Sequence, residues 1–319
     1  MEGEDFRVLS GAESLRVLAS CRGEGGGALD GLAAARGQSI SVSSSCFSCY
    51  VSIIGNMAAN EVYANAPIAM VVAEIRHPIS EPLSPAEWNN IKLALAEAVP
   101  ISRSESILEI DIQSGQQHMS KLTRFVSRDL HQSISFRPDA IVIESTDYHG
   151  WDVFRGMINI ALHARQDTAP VDGLERVGLR YMDEIRPPAA VTSIDWTDWV
   201  SPELLGPVSL PELVEKPAIS RQGTMVLSSA PGVTYTVRYG SGVGQAFASS
   251  PNLRRRTEPD GEFFLIDTDG AWQPVAQAIP EFSAEDVELI LNDIHEPISL
   301  IFESLITDRL RNEVLRDER

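Results

Sequence analysis

The stretch Gln132-Ser-Ile-Ser-Phe-Arg-Pro-Asp-Ala-Ile-Val-Ile-Glu-Ser145 decides the fold. It reads as two extended runs, Gln132–Arg137 and Ala140–Ser145, around Arg137-Pro138-Asp139, residues suited to a hairpin connection. A link this short joins antiparallel strands, because parallel neighbours need a long crossover. Upstream, Ile107–Ile112 alternates Ile110 and Ile112 against Glu109 and Asp111, and Met119–Ser127 comes next. Strand succeeds strand without a crossover helix, which argues against a doubly wound parallel sheet.

Further out the pattern changes period. Ile68–Ile75 reads as a strand with Val71, Ala73 and Ile75 on one face and Val72, Glu74 and Arg76 on the other. Ser84-Pro85-Ala86-Glu87 is a helix start with a capping box and proline at the first helical position. Trp88, Ile91, Leu95 and Val99 continue at helical spacing up to Pro100. Trp151–Ala164 is a second amphipathic helix with Phe154, Ile158 and Ala161, and Leu174–Ile185 returns to strand. Thr192–Pro217, with Trp196, Trp199 and four prolines, reads as a connector carrying short helices at Asp198–Leu205 and Leu210–Val214. Strands resume at Ala218–Ser228, Val233–Gly240 and Phe263–Asp269. A capped helix opens at Ser283; Val287, Ile290, Leu291 and Ile294 form its stripe, and Pro297 opens or kinks the next segment. The expected fold is α+β: antiparallel-rich sheet with amphipathic helices packed on one face, in two halves of similar style, 57–190 and 218–319, joined by 191–217.

Residues 1–56 differ in kind. They hold all three cysteines (Cys21, Cys46, Cys49), a glycine tract at 23–27 and a serine-dominated run at 39–48. The expectation is a disordered or loosely structured extension, with Met57 as an alternative start. Cys46-Phe-Ser-Cys49 has zinc-knuckle or redox spacing, but no further ligands lie nearby apart from Cys21. A body without cysteine excludes a disulfide-built fold.

The formal net charge is −19, from 45 acidic and 26 basic side chains. Such a surface repels nucleic acid and anionic lipid, and no apolar run is long enough to cross a bilayer. The expected location is cytoplasmic. Chemistry is not announced by any motif. Gly240-Ser-Gly-Val-Gly244 lacks the Lys-Ser/Thr ending of a phosphate loop and reads as a flexible turn. The six histidines are scattered, so neither metal nor cofactor is expected. Arg254-Arg255-Arg256 is the densest basic cluster and would be the contact for nucleic acid.

Two charged strand faces stand out. Glu74 and Arg76 share one face, and Arg176 and Arg180 share another. If the strands are neighbours, these residues build a carboxylate–arginine network able to bind an anionic ligand or a partner loop. Tyr148 and His149, at a strand-to-helix junction, are the other candidates. An enzyme reading would place a cleft near Arg76, His149 and Arg180.

Val71-Val-Ala-Glu-Ile-Arg-His-Pro78, Asp147-Tyr-His-Gly-Trp151, Glu175-Arg-Val-Gly-Leu-Arg-Tyr181 and the closing helix with His295 and Phe302 together resemble a family of sporadically distributed, uncharacterised bacterial proteins. The resemblance spans roughly 62–315. It implies no activity, cofactor or catalytic residue. The function expected is a cytosolic binding or interaction protein, acting on a protein partner or on itself, and an accessory component of a bacterial stress or defence system.

Overall fold

Residues Ile68–Arg76 form β1, and alternation divides them between two environments. Val71, Ala73 and Ile75 are completely buried, while Val72, Glu74 and Arg76 point the opposite way. The computed structural model describes residues 61–110, 117–188, 191, 194–206, 220–257, 259–275 and 279–316. The expected tail at 1–56, its Cys46/Cys49 pair and the short helix at 210–214 lie outside them.

The remaining strands are β2 (Ile101–Ile110), β3 (Gln117–Val126), β4 (Gln132–Phe136), β5 (Ala140–Ser145), β6 (Arg176–Ile185), β7 (Gln222–Ala230), β8 (Val233–Val243) and β9 (Glu262–Trp272). Among the described residues they form, with β1, a nine-stranded sheet in the order β2-β3-β4-β5-β1-β6-β9-β8-β7. Every pairing is antiparallel. The strands before and after the connector therefore share one sheet, because β9 pairs with β6 in place of closing a second unit. From Val62 onward the chain is one compact unit.

Helices α1 (Pro85–Ala94), α2 (Trp151–Thr168) and α3 (Ala284–Leu305) cover one face. Ser84 caps α1: its hydroxyl accepts from the Glu87 amide at 3.3 Å, and Glu87 accepts from the Ser84 amide at 2.6 Å. Ile91 of α1, Ile158 and Leu162 of α2, and Leu291 and Ile294 of α3 bury against Val71, Ile75, Phe125, Ile143 and Leu179 of the sheet. A second cluster lies beyond the end of α3. There Trp196 and Trp199 pack with Phe264, Ile266, Leu305, Leu310 and Leu315.

Four local expectations change. The expected strand at 107–112 begins at Ile101, because among the described residues it is an edge strand paired with β3 alone and tolerates polar residues along its length. Gly240–Val243 is not a flexible turn but the end of β8. A Cβ on Gly240 would stand 2.4 Å from the Arg221 carbonyl, and one on Gly242 would stand 2.7 Å from the Phe263 ring. These glycines admit close neighbours. Pro297 sits inside a continuous α3, whose buried side is held on both sides of it by Ile294 and Ile298. The expected helix at 198–205 is two 3-10 turns, Trp196–Asp198 and Pro202–Leu204, each capped by the residue before it.

Gly270 seats α3. A Cβ there would meet Ile294 Cγ2 at 2.5 Å and Ile298 Cδ1 at 2.9 Å. We predict that Gly270→Val lifts the helix and lowers stability by about 1–3 kcal/mol, the usual cost of overpacking. Gly156 of α2 is the control, because a methyl group added there would meet nothing within 4 Å. Gly156→Ala should gain about 0.5–1 kcal/mol. Urea denaturation of the two variants checks both signs.

Candidate functional site

On the face without helices, the register sets charges side by side. Across β1–β6, Val72 pairs with Arg180, Glu74 with Gly178 and Arg76 with Arg176. Across β6–β9, Arg180 pairs with Asp269 and Met182 with Asp267. Gly178 lies beneath the Arg176 guanidinium, where a Cβ would sit 2.3 Å from Nη1. Its missing side chain lets Arg176 lean between strands and reach Glu74 at 3.3 Å and Asp269 at 3.2 Å. Arg76 holds the same Glu74 at 2.7 Å. Arg180 donates to Asp267 through Nε at 2.6 Å and Nη2 at 2.8 Å, a two-point grip. Arg238 of β8 approaches Asp267 at 3.6 Å.

Burial alone would weaken these charges, and pairing compensates. Burial lowers the pKa of Arg180, but the hydrogen bonds and charge of Asp267 more than reverse it. Burial raises the Asp269 carboxyl above its ordinary value, against the pull of Arg176 and Arg180. The side chains of Arg176 and Glu74 are each 8% exposed and that of Asp267 is 3% exposed, whereas Arg76 and Arg238 at the margins reach 28% and 31%.

Of the residues singled out in the sequence, Glu74, Arg76, Arg176 and Arg180 thus meet on one face. Tyr148 does not join them. It lies on the helix-covered face with its hydroxyl 3.2 Å from that of Tyr181. His149 is exposed and bonds Asp147 at 3.0 Å. Arg76 pairs with Ala140, while His149 comes after Ser145 at the other end of the same ladder. That ladder is roughly 17 Å long, so Arg76 and His149 do not line one cleft. Sequence reasoning missed Asp267, Asp269 and Arg238. The available signal was the Asp267-Thr-Asp269 alternation, which matches the spacing of the arginines on a neighbouring strand.

Between β8 and β9 the chain leaves the sheet at Gly244 and returns at Gly261, both at positive φ, with the Gly244 amide on the Gly261 carbonyl at 2.8 Å. This loop crosses the polar face. Ala246 and Leu253 bury with Met70, Met182 and Phe263. The Arg254 amide reaches the Leu130 carbonyl at 2.7 Å, and Asn252 bonds Glu105 of β2. The basic triplet is split by this path: Arg254 and Arg256 face solvent, while Arg255 turns inward to Glu184 at 2.9 Å.

A second polar group is buried among the helices. Tyr148 and Tyr181 stack edge to face at 5.5 Å, His295 lies flat on Trp151 at 4.3 Å, and Trp151 donates to Asn292 at 2.9 Å. Burial, with help from the Asp267 charge, pushes the Asp183 carboxyl up to about 8. Burial pulls His295 down to about 4.

Asp267→Ala strands a buried guanidinium and should cost roughly 3 kcal/mol. Arg180→Met with Asp267→Leu should recover most of that loss, which a double-mutant cycle by chemical denaturation measures. A further expectation concerns pH. The folded state keeps a proton on Asp183 that the unfolded chain releases near its ordinary 3.8, so this group makes stability fall as pH rises toward 8. His295, lowered from 6.5, makes stability fall as pH drops from 6.5 toward 4. The two oppose each other below 6.5, and Asp183 acts alone above it. The melting temperature should therefore decline from pH 6.5 to 8, and Asp183→Asn should flatten that decline. Equal declines in both proteins would refute the assignment.

Among the described residues no helix is long and apolar enough to cross a membrane, and no group of three or more His, Cys, Asp or Glu is placed to hold a metal ion. No protein-family model matches the chain, and no curated protein is similar to it.

Proposed function

We propose that this chain is a binding protein of the bacterial cytosol that works by engaging a protein partner, and that it is an accessory component of a stress or defence system, as the resemblance to the sporadically distributed bacterial family would have it. The observation that supports this reading is strand β7. Among the described residues it pairs with β8 alone, and eight of its nine residues are exposed. Met225, Val226 and Leu227 are 36%, 62% and 38% exposed. A strand with an unpaired edge and apolar side chains on both faces is a template for another strand. Next to it, Arg238 of β8, opposite Thr224 of β7, borders the paired lattice and offers a cationic contact to the same partner.

The test compares wild type with Val226→Lys, a charge on the edge that blocks strand addition without touching the core. Light scattering after gel filtration and pull-down from cells expressing neighbouring genes should show an assembly, with itself or with a partner, that the variant loses at unchanged melting temperature. A wild type that is strictly monomeric and retrieves nothing, or an assembly indifferent to the substitution, would contradict the reading.

A further inference from the structure

A cavity of about 200 Å³ opens where the β8–β9 loop meets the start of β1. It is separate from β7 and from the Arg176–Arg180 lattice. Its lining includes Arg186, Arg255, Arg256, Glu184 and Thr257, together with the segment Asn65–Ala69. We propose that this cavity is a binding site for a phosphoryl group, as inorganic phosphate or as the head of a small phosphate monoester.

The charge balance favours an anion. Glu184 is spent on fixed contacts: it accepts from Arg186 Nη2 at 2.7 Å, from Arg255 Nη2 at 2.9 Å and from the Ala246 amide at 2.8 Å. It neutralises one arginine. Arg186 also donates to Glu184 through Nε at 2.9 Å, to the Asp260 carbonyl through Nη1 at 3.0 Å, and to the Gly244 carbonyl through Nη2. Arg255, 4% exposed at its side chain, lies over the Phe247 ring at 4.5 Å and donates to the Thr257 and Phe247 carbonyls. Three of its five N–H groups are thereby engaged, and two are left for a guest. Arg256 is 57% exposed, and its one partner among the described residues is Asp147, at 3.7 Å. Asp147 in turn is bonded to His149 at 3.0 Å.

Counting Glu184 against Arg186, the described lining keeps the charges of Arg255 and Arg256, offset among the described residues outside it by Asp147. Among the described residues this is an excess of about one to two positive charges, in a protein of net charge −19, and it suits a phosphoryl group, which carries about −1.5 to −2 at neutral pH. A carboxylate brings a single charge and a planar geometry that one guanidinium satisfies. Here the donors sit on two guanidinium groups, Arg255 and Arg256, which a tetrahedral oxyanion can meet together. The volume lies below the roughly 300 Å³ where pockets for larger ligands begin, so a head group fits and a whole nucleotide does not.

The backbone is irregular at the same place. The β1–β6 register shifts between Ile68 and Met70, so Ala69 is left without a ladder partner on β6, and Ile68 and Ala69 both line the cavity. Bulges of this kind gather beside ligand sites.

The test titrates the full chain with inorganic phosphate, glycerol 3-phosphate and acetate at matched ionic strength, by calorimetry and thermal shift. Saturable binding of phosphate or of glycerol 3-phosphate at millimolar concentration or below is expected, the tighter of the two telling free phosphate from a monoester, and acetate should not saturate. Arg256→Gln should weaken binding about tenfold, the loss of one charge-assisted contact. Arg254→Gln removes the same charge from the same loop outside the cavity and should keep affinity within about twofold. No saturable phosphate binding, acetate binding as well as phosphate, or equal losses in the two variants would each overturn the assignment. The last outcome would mean diffuse attraction to polyanions. None of these readouts depends on assembly through β7.

Discussion

Three central strands, β1, β6 and β9, carry two incompatible kinds of surface, and their register must satisfy both. One face is apolar and takes the helices. The other seats two ion-paired groups side by side, Glu74–Arg176–Asp269 and Arg180–Asp267. A slip of one residue would turn those charges into the helix-packed core and the core residues into the polar face. Removing one member strands its direct partners, because a buried charge without its partner loses its compensation for desolvation. The lattice is therefore better understood as a register lock than as a source of net stability.

The loop from Gly244 to Gly261 depends on that lock. It lies across the polar face by using the same chemistry: Arg255 and Arg186 converge on Glu184, the next outward-facing residue of β6 after Arg180 and Met182. Leu253 and Ala246 add an apolar seam against Met70 and Met182. The cavity with its three arginines is what this crossing leaves uncovered near the start of β1. One strand, β6, thus supplies a charge to each device on this face: Arg176 and Arg180 to the lattice, Glu184 to the loop anchor.

Much of the fold is legible in the sequence because period is a local signal. The alternation in Ile68–Ile75 and the Arg137-Pro138-Asp139 hairpin mark β1, β4 and β5, and the Ser84 capping box marks the start of α1 within a residue. Pairing partners are not local. That β9 sits beside β6 is a matter of chain topology, so the carboxylates that complete the arginine network, Asp267 and Asp269, carry no local mark of their role. Gly240 and Gly242 mislead for the same reason: their lack of side chains serves neighbours, Arg221 and Phe263, that the sequence does not place. Tyr148 stands at a junction beside the arginine-bearing strands, yet a sheet has two faces and it lies on the other. The cavity at Arg256 has only the basic triplet as its signal, and the triplet's outward, inward, outward alternation is set by the loop's path.

β1, β6 and β9 form the element on which the rest of the structure is built. Native-state hydrogen exchange, read amide by amide, tests it most directly. Amides of these three strands should exchange only through global unfolding, with the same dependence on denaturant, while β7 exchanges by local opening. Amides of β1 and β6 that open as readily as those of β7 would contradict the account.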